Sequence, residues 1–193
     1  MSRQKGDIMK QVLISIKPQW VELIASGNKT IEVRKTKPKL DVPFKCYIYE
    51  TQGRTETPFI DEEGHHIFKG RGQVIGEFVC DNILDYTLDP YGHHSYFISD
   101  DDFESTCLTF YEQLWDYGKG KTLYGWHITD LVVYNEPREL RDFKPYNRTE
   151  EDCKFSHLGL AIPKCKDCRE CYVKRPYQSW GYVEATEPRQ TAD

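Results

Sequence analysis

Three side chains within six residues have types and spacing suited to chemistry. They are Lys29, Glu32 and Arg34, in the stretch Gly27-Asn28-Lys29-Thr30-Ile31-Glu32-Val33-Arg34. A lysine here can hold a phosphate, or act as a base if burial lowers its pKa. A glutamate can accept from a base edge or relay a proton. Arginine offers a planar fork for phosphate or a base edge. Read as a strand, residues 30–34 send Ile31 and Val33 to one face. Thr30, Glu32 and Arg34 then form a polar comb on the other, with Glu32 and Arg34 about 7 Å apart. The plain alternative is a turn lysine beside a solvated ion pair. Lys17 and Trp20 precede the stretch, one a second cation and the other either a stacking face or core. Near the C-terminus, Gln178 and Ser179 sit at a strand boundary where they can contact a ligand.

A second constellation is Cys153 followed by Cys165-Lys166-Asp167-Cys168-Arg169-Glu170-Cys171. Two successive x₂ spacings and one upstream thiol suit tetrahedral zinc, with His157 as an alternative fourth ligand. Four ligands saturate the metal, so such a site is structural, and no cofactor is required elsewhere. The alternative is a group of free thiols. His65-His66 and His93-His94 are adjacent pairs, poorly placed to share a metal. The chain contains no Walker-type loop, G-x-S-x-G elbow or H-E-x-x-H.

The surrounding elements must place these residues. Val12 to Lys17 is a short β-branched run and reads as a buried strand. Pro18 opens a short helix that carries apolar Trp20, Val21, Leu23, Ile24 and Ala25, and Gly27 suits its left-handed end. Lys35 to Pro43 is a proline-punctuated basic loop. Lys45–Thr51, Gln73–Ile83, Leu123–Tyr134 and Pro176–Glu184 read as strands, with a bulge at Gly76. Gln52–Gly72 is an excursion or hairpin, and Asp85–Asp100 a loop. One amphipathic helix is expected over Asp100–Tyr117, capped by Ser99, with Phe103, Cys107, Phe110, Tyr111 and Leu114 on its apolar face. Few helices and several short strands predict an α+β fold built on a small closed or half-closed barrel.

The 193 residues suit one domain. Residues 1–9 read as a disordered extension and 10–145 as the body. Residues 146–174 form the Cys-rich C-terminal appendage, 175–185 a strand returning to the body, and 186–193 a tail. No apolar run reaches the length of a membrane span and no secretory h-region opens the chain. Seven Cys, an odd number, then argue for a reducing, cytoplasmic setting. The net charge of −5 hides an asymmetry: residues 1–39 hold nine Lys/Arg against three Asp/Glu, whereas residues 77–116 hold ten Asp/Glu and no Lys/Arg. The N-terminal third can face an acidic ligand, unless the two regions simply pair with each other.

Ile14-Ser15-Ile16-Lys17-Pro18, a short helix and then Gly27, Lys29, Glu32 and Arg34 resemble the ASCH domain, whose hallmark is G-x-K-x-x-E-x-R. Tyr124 to Leu131, the Pro137-Arg138-Glu139-Leu140 exit and Pro176 to Trp180 resemble the late strands of phage and bacterial members. The resemblance implies a PUA-like β-barrel with short flanking helices and a cleft lined by the motif. It also implies RNA, a nucleoside or a nucleotide as partner. One subgroup is similar to amidohydrolases acting on N4-acetylcytidine, with a Lys, a Thr three residues later and a distant Glu. This chain has Lys29 but Glu32 where that Thr would stand, which ranks binding above catalysis. An enzyme, as amidohydrolase or ribonuclease, would use Lys29 and Glu32. An accessory module with a protein partner is the third reading.

Overall fold

The computed structural model describes residues 9–52, 54–56, 67–89, 95–146 and 172–184. Strand β1 (Lys10–Ile16) is followed by helix α1 (Pro18–Ala25) and strand β2 (Ile31–Arg34). Strand β3 (Phe44–Glu50) comes next, then the two-stranded antiparallel β4 (Arg54–Glu56) and β5 (Ile67–Lys69). After them come β6 (Val74–Cys80) and β7 (Ile83–Tyr86). Two short helices, α2 (Asp100–Ser105) and α3 (Glu112–Gly118), lead to β8 (Leu123–His127) and β9 (Thr129–Arg138). A single 3-10 turn (Leu140–Asp142), the short β10 (Lys144–Pro145) and the final β11 (Trp180–Glu184) complete the described elements.

The strands form a six-stranded sheet in the order β10-β11-β1-β3-β6-β9 and a three-stranded sheet in the order β2-β8-β7. The expected α+β class holds. Of the closed or half-closed arrangements expected, the closed one is not formed: the strands lie in separate sheets, with β9 and β10 as edges of the larger one. β1 and β3 run parallel, and α1 and β2 supply the crossover between them. β1 is buried from Gln11 to Ile16 because α1 and Trp126 cover one of its faces and Phe143 and Val173 the other. One core cluster combines Val12, Ile14, Ile16 and α1's Val21 and Ile24 with Phe78 and Trp126. The opposite face of the large sheet packs Leu13, Tyr47, Tyr49, Phe143 and Val173.

Pro18 occupies the first turn of α1, and Gly27 adopts φ +78° just beyond it with open space where a Cβ would stand. This is the left-handed exit expected from the sequence. The bulge near Gly76 is present as a register shift between β6 and β9. A Cβ at Gly76 would lie 2.5 Å from the Val132 carbonyl oxygen, so the two backbones need the glycine to approach.

Four element assignments differ from the sequence reading. The helix over 100–117 is two helices, broken at Thr106–Tyr111, with Cys107 at φ +55°. The apolar spacing runs on through the break, but Phe110 is exposed and Tyr111, also exposed, stacks its ring on Phe103 at the surface. Ser99 does cap α2, accepting from the Asp102 amide at 3.1 Å. The strand over 123–134 is divided at Ile128, so that β8 joins the small sheet and β9 the large one. Asp85 and Tyr86, expected in a loop, belong to β7, which pairs with β8. The last strand starts at Trp180 rather than Pro176.

Candidate functional site

β2 carries Glu32 and Arg34 beside β8, in the register Glu32↔Trp126 and Arg34↔Tyr124. The polar comb is not solvated. Lys29 is 3% exposed, Glu32 6% and Arg34 8%. Buried charges need partners, and each has them. Lys29 Nζ donates to the carbonyl oxygens of Ile31 at 2.7 Å and Thr106 at 2.6 Å, and lies 3.5 Å from Glu32 Oε2. Arg34 Nη2 donates to the Ser15 carbonyl oxygen at 2.6 Å and lies 3.1 Å from Glu32 Oε1. Arg34 Nε is buried and has no hydrogen-bond partner among the described residues.

The helix break explains the Thr106 contact. In a continuous helix the Thr106 carbonyl would accept from the amide four residues on. The turn at Cys107 releases it toward Lys29. The same segment is held at Thr30, whose amide donates to the Ser105 carbonyl oxygen at 3.1 Å. The acidic middle of the chain thus meets the basic motif through backbone carbonyls here. A charge pair does join the regions elsewhere, between Lys37 and Asp85 at 2.7 Å.

The array forms part of a cleft of about 500 Å³. Lys17, Trp20, Lys29, Glu32, Arg34, Gln178 and Ser179 all line it. Lys17 and Gln178 are exposed, whereas Trp20 and Ser179 are half-buried. Trp20 also packs against the core, and its ring centroid lies 5.1 Å from Lys29 Nζ. Thr30 is not among the lining residues; its backbone is spent on Ser105 and Ile128. Sequence reasoning missed Ser15, Thr51, Leu108, Gln113 and Tyr117, which also line the cleft. Only the aromatic, half-polar character of Tyr117 at the end of a polar helix hinted at such a role. Cys153, Cys165, Cys168 and Cys171, with His157, His65-His66 and His93-His94, lie outside the described residues.

Two cations share one carboxylate, so the cleft floor carries an excess of one positive charge when all three groups are ionised. Burial pulls the Lys29 ammonium below the usual lysine range, and the Glu32 carboxylate opposes that shift. Its three hydrogens face three acceptors, two carbonyls and one carboxylate, a set that fits the ammonium form. Burial pushes the Tyr117 phenol up, while Arg34 beside it acts in the opposite direction. Such a floor favours an anionic or electron-rich ligand, and the rings of Trp20 and Tyr117 supply flat faces in its walls.

The ASCH domain family model matches residues 14–186. No curated protein gives a match to the chain. Among solved structures, an ASCH protein from Zymomonas mobilis aligns with 17% identity and a TM-score of 0.47, covering 93% of this chain and 88% of that one. A tyrosine-to-phenylalanine mutant of the same protein aligns with 16% identity and a TM-score of 0.47, covering 94% and 92%.

Proposed function

The chain belongs to the ASCH domain family, and from that premise we propose that its cleft binds RNA or a modified nucleoside or nucleotide. The observation that carries this reading is the buried Lys29–Glu32–Arg34 array with its excess positive charge, set between the rings of Trp20 and Tyr117. A base enters between or against the rings, and Glu32 accepts from an exocyclic amine with the lone pairs that its two cations leave unused. Phosphate meets Lys17 at the lip. The test is a calorimetric screen of nucleosides, nucleotides and short RNAs. The intact protein is expected to bind at least one of these classes, and Arg34→Ala to bind at least tenfold more weakly. No binding by the intact protein overturns the reading.

The lowered pKa of Lys29 favours a second reading, a small hydrolase acting on a nucleoside amide such as N4-acetylcytidine, or on RNA, with Lys29 and Glu32 as the acting groups. The three acceptors around Nζ weigh against a free base, which is why binding stands first. Release of cytidine from N4-acetylcytidine, lost in Lys29→Met, would reverse that order. In the third reading the protein acts through a protein partner, and co-purification of one with no nucleic-acid binding would favour it. No helix among the described residues is long and apolar enough to cross a membrane.

A further inference from the structure

The basic loop after β2 starts at the cleft and runs away from it along β11. Lys35 follows Arg34 directly, and its Nζ lies 4.6 Å from the ring centroid of Tyr117, a cleft residue. One residue on, Thr36 Oγ1 accepts from Trp180 Nε1 at 3.1 Å, next to the cleft residue Ser179. Lys37 Nζ lies 4.8 Å from the Tyr124 ring, and Pro38 is buried. The Lys39 amide then donates to the Tyr182 hydroxyl at 2.7 Å. Trp180 and Tyr182 are alternate residues of one strand, so they share a face, and their rings meet edge to face. Lys10 Nζ reaches the same Tyr182 ring at 3.7 Å and the Tyr146 ring at 5.2 Å.

The register fixes the direction of this path. Trp180 pairs with Ile14, Tyr182 with Val12 and Glu184 with Lys10. The lysines therefore lead from the Ser15 end of β1, at the cleft, to its first residue. Five residues of strand span about 16 Å, more than one nucleotide occupies. Lys35, Lys37 and Lys39 are exposed. Asp85 pairs with Lys37, and Glu184 stands opposite Lys10 in the ladder. Lys35 and Lys39 have no ion pair among the described residues. Rings hold three of the lysine side chains in place, which lowers the ordering cost of meeting a row of anions.

We infer that this row, Lys35 and Lys10 braced by the rings of Tyr117 and Tyr182 and Lys39 anchored through its amide to Tyr182, is a track for the phosphate backbone of a single strand whose base occupies the cleft. It rests on the nucleic-acid reading of the cleft and narrows it from a free nucleotide to a polynucleotide. An isolated nucleotide cannot reach Lys10, whereas a strand running from the cleft lies along the whole row.

The test uses the full chain, a fluorescent single-stranded RNA ten nucleotides long and a mixture of the four mononucleotides. The variant is Lys10→Ala/Lys39→Ala, which leaves every cleft residue in place. The intact protein is expected to bind the strand at least tenfold more tightly than the mononucleotides. In the variant the slope of log affinity against log salt falls by about 1.4 for the strand, roughly 0.7 for each lysine removed, and mononucleotide affinity is unchanged. Lys10→Arg/Lys39→Arg retains the slope, which separates charge from a folding defect. Mononucleotide binding with no gain for the strand, or an unchanged slope in the alanine variant, overturns the track and leaves the cleft reading standing. Binding of neither probe overturns the track and, with it, the RNA and ordinary-nucleotide part of the cleft reading. Equal competition by polyglutamate at matched charge overturns the assignment to nucleic acid.

Discussion

Replacing Glu32 by glutamine keeps the shape of the side chain and removes the one negative charge between Lys29 and Arg34. At the observed 3.5 and 3.1 Å, and with an effective dielectric of about 20, each attraction is roughly 5 kcal/mol. Desolvation of the carboxylate offsets much of this. Leaving buried cations without their partner costs about 3–5 kcal/mol. Glu32→Gln is therefore expected to lose about that much in urea unfolding at pH 7. The sign of the pH dependence follows from Lys29. Its pKa is lowered in the folded protein, so the unfolded chain binds more protons and stability rises with pH through the folded-state value. The penalty is complete below the folded pKa and is relieved as pH rises toward 10.5. Without Glu32 the folded pKa falls further, so relief begins at a lower pH. The gap between the two proteins should narrow on the alkaline side. Adding Lys29→Met to Glu32→Gln should recover about 0.5–3 kcal/mol through their coupling. A Glu32→Gln protein within about 0.5 kcal/mol of the original from pH 6 to 10, the range of neutral surface substitutions, refutes the account of the array as a mutually dependent set.

Other perturbations separate site from scaffold. Tyr117, 38% exposed in the cleft wall, should weaken RNA binding by about 1–3 kcal/mol as alanine, with the thermal midpoint little moved. Gly76→Ala places a methyl 2.5 Å from the Val132 carbonyl oxygen and should cost about 1–3 kcal/mol in denaturant unfolding; a neutral result would show that the two strands separate easily there. The thiols Cys153, Cys165, Cys168 and Cys171 remain a proposed zinc clip. Elemental analysis of gently purified protein should give near one zinc per chain, and a value far below one removes the clip.

The strand–helix–strand opening was legible because it is local. Pro18 fixes a helix start, Gly27 supplies a left-handed exit, and the alternation of Ile31 with its polar neighbours marks β2. Alternation gives the face of a side chain and not what covers that face. Here the cover comes from Thr106, 77 residues after Lys29, so the burial of the comb was hidden. The break between α2 and α3 was hidden for a related reason: Leu114 keeps the 3-to-4 spacing of Phe103 and Cys107 across a non-helical turn. The change of sheet at Ile128 depends on which strands are distant partners, and apolar content does not encode that. For the same reason a count of strands left closed and half-closed barrels both open, where pairing gives separate sheets.

The contact between Lys29 and the Thr106 carbonyl has a consequence for how the motif travels. Glycine, lysine, glutamate and arginine at fixed spacing look like a self-contained cassette. Yet the acceptor that completes the lysine's shell belongs to a turn whose own sequence lies far outside that spacing. A fragment ending before Ser99, or a graft of residues 27–34 onto another scaffold, would carry every hallmark letter and leave one ammonium hydrogen without its acceptor. The structural unit is the motif together with the broken helix that closes over it, and neither half is portable without the other.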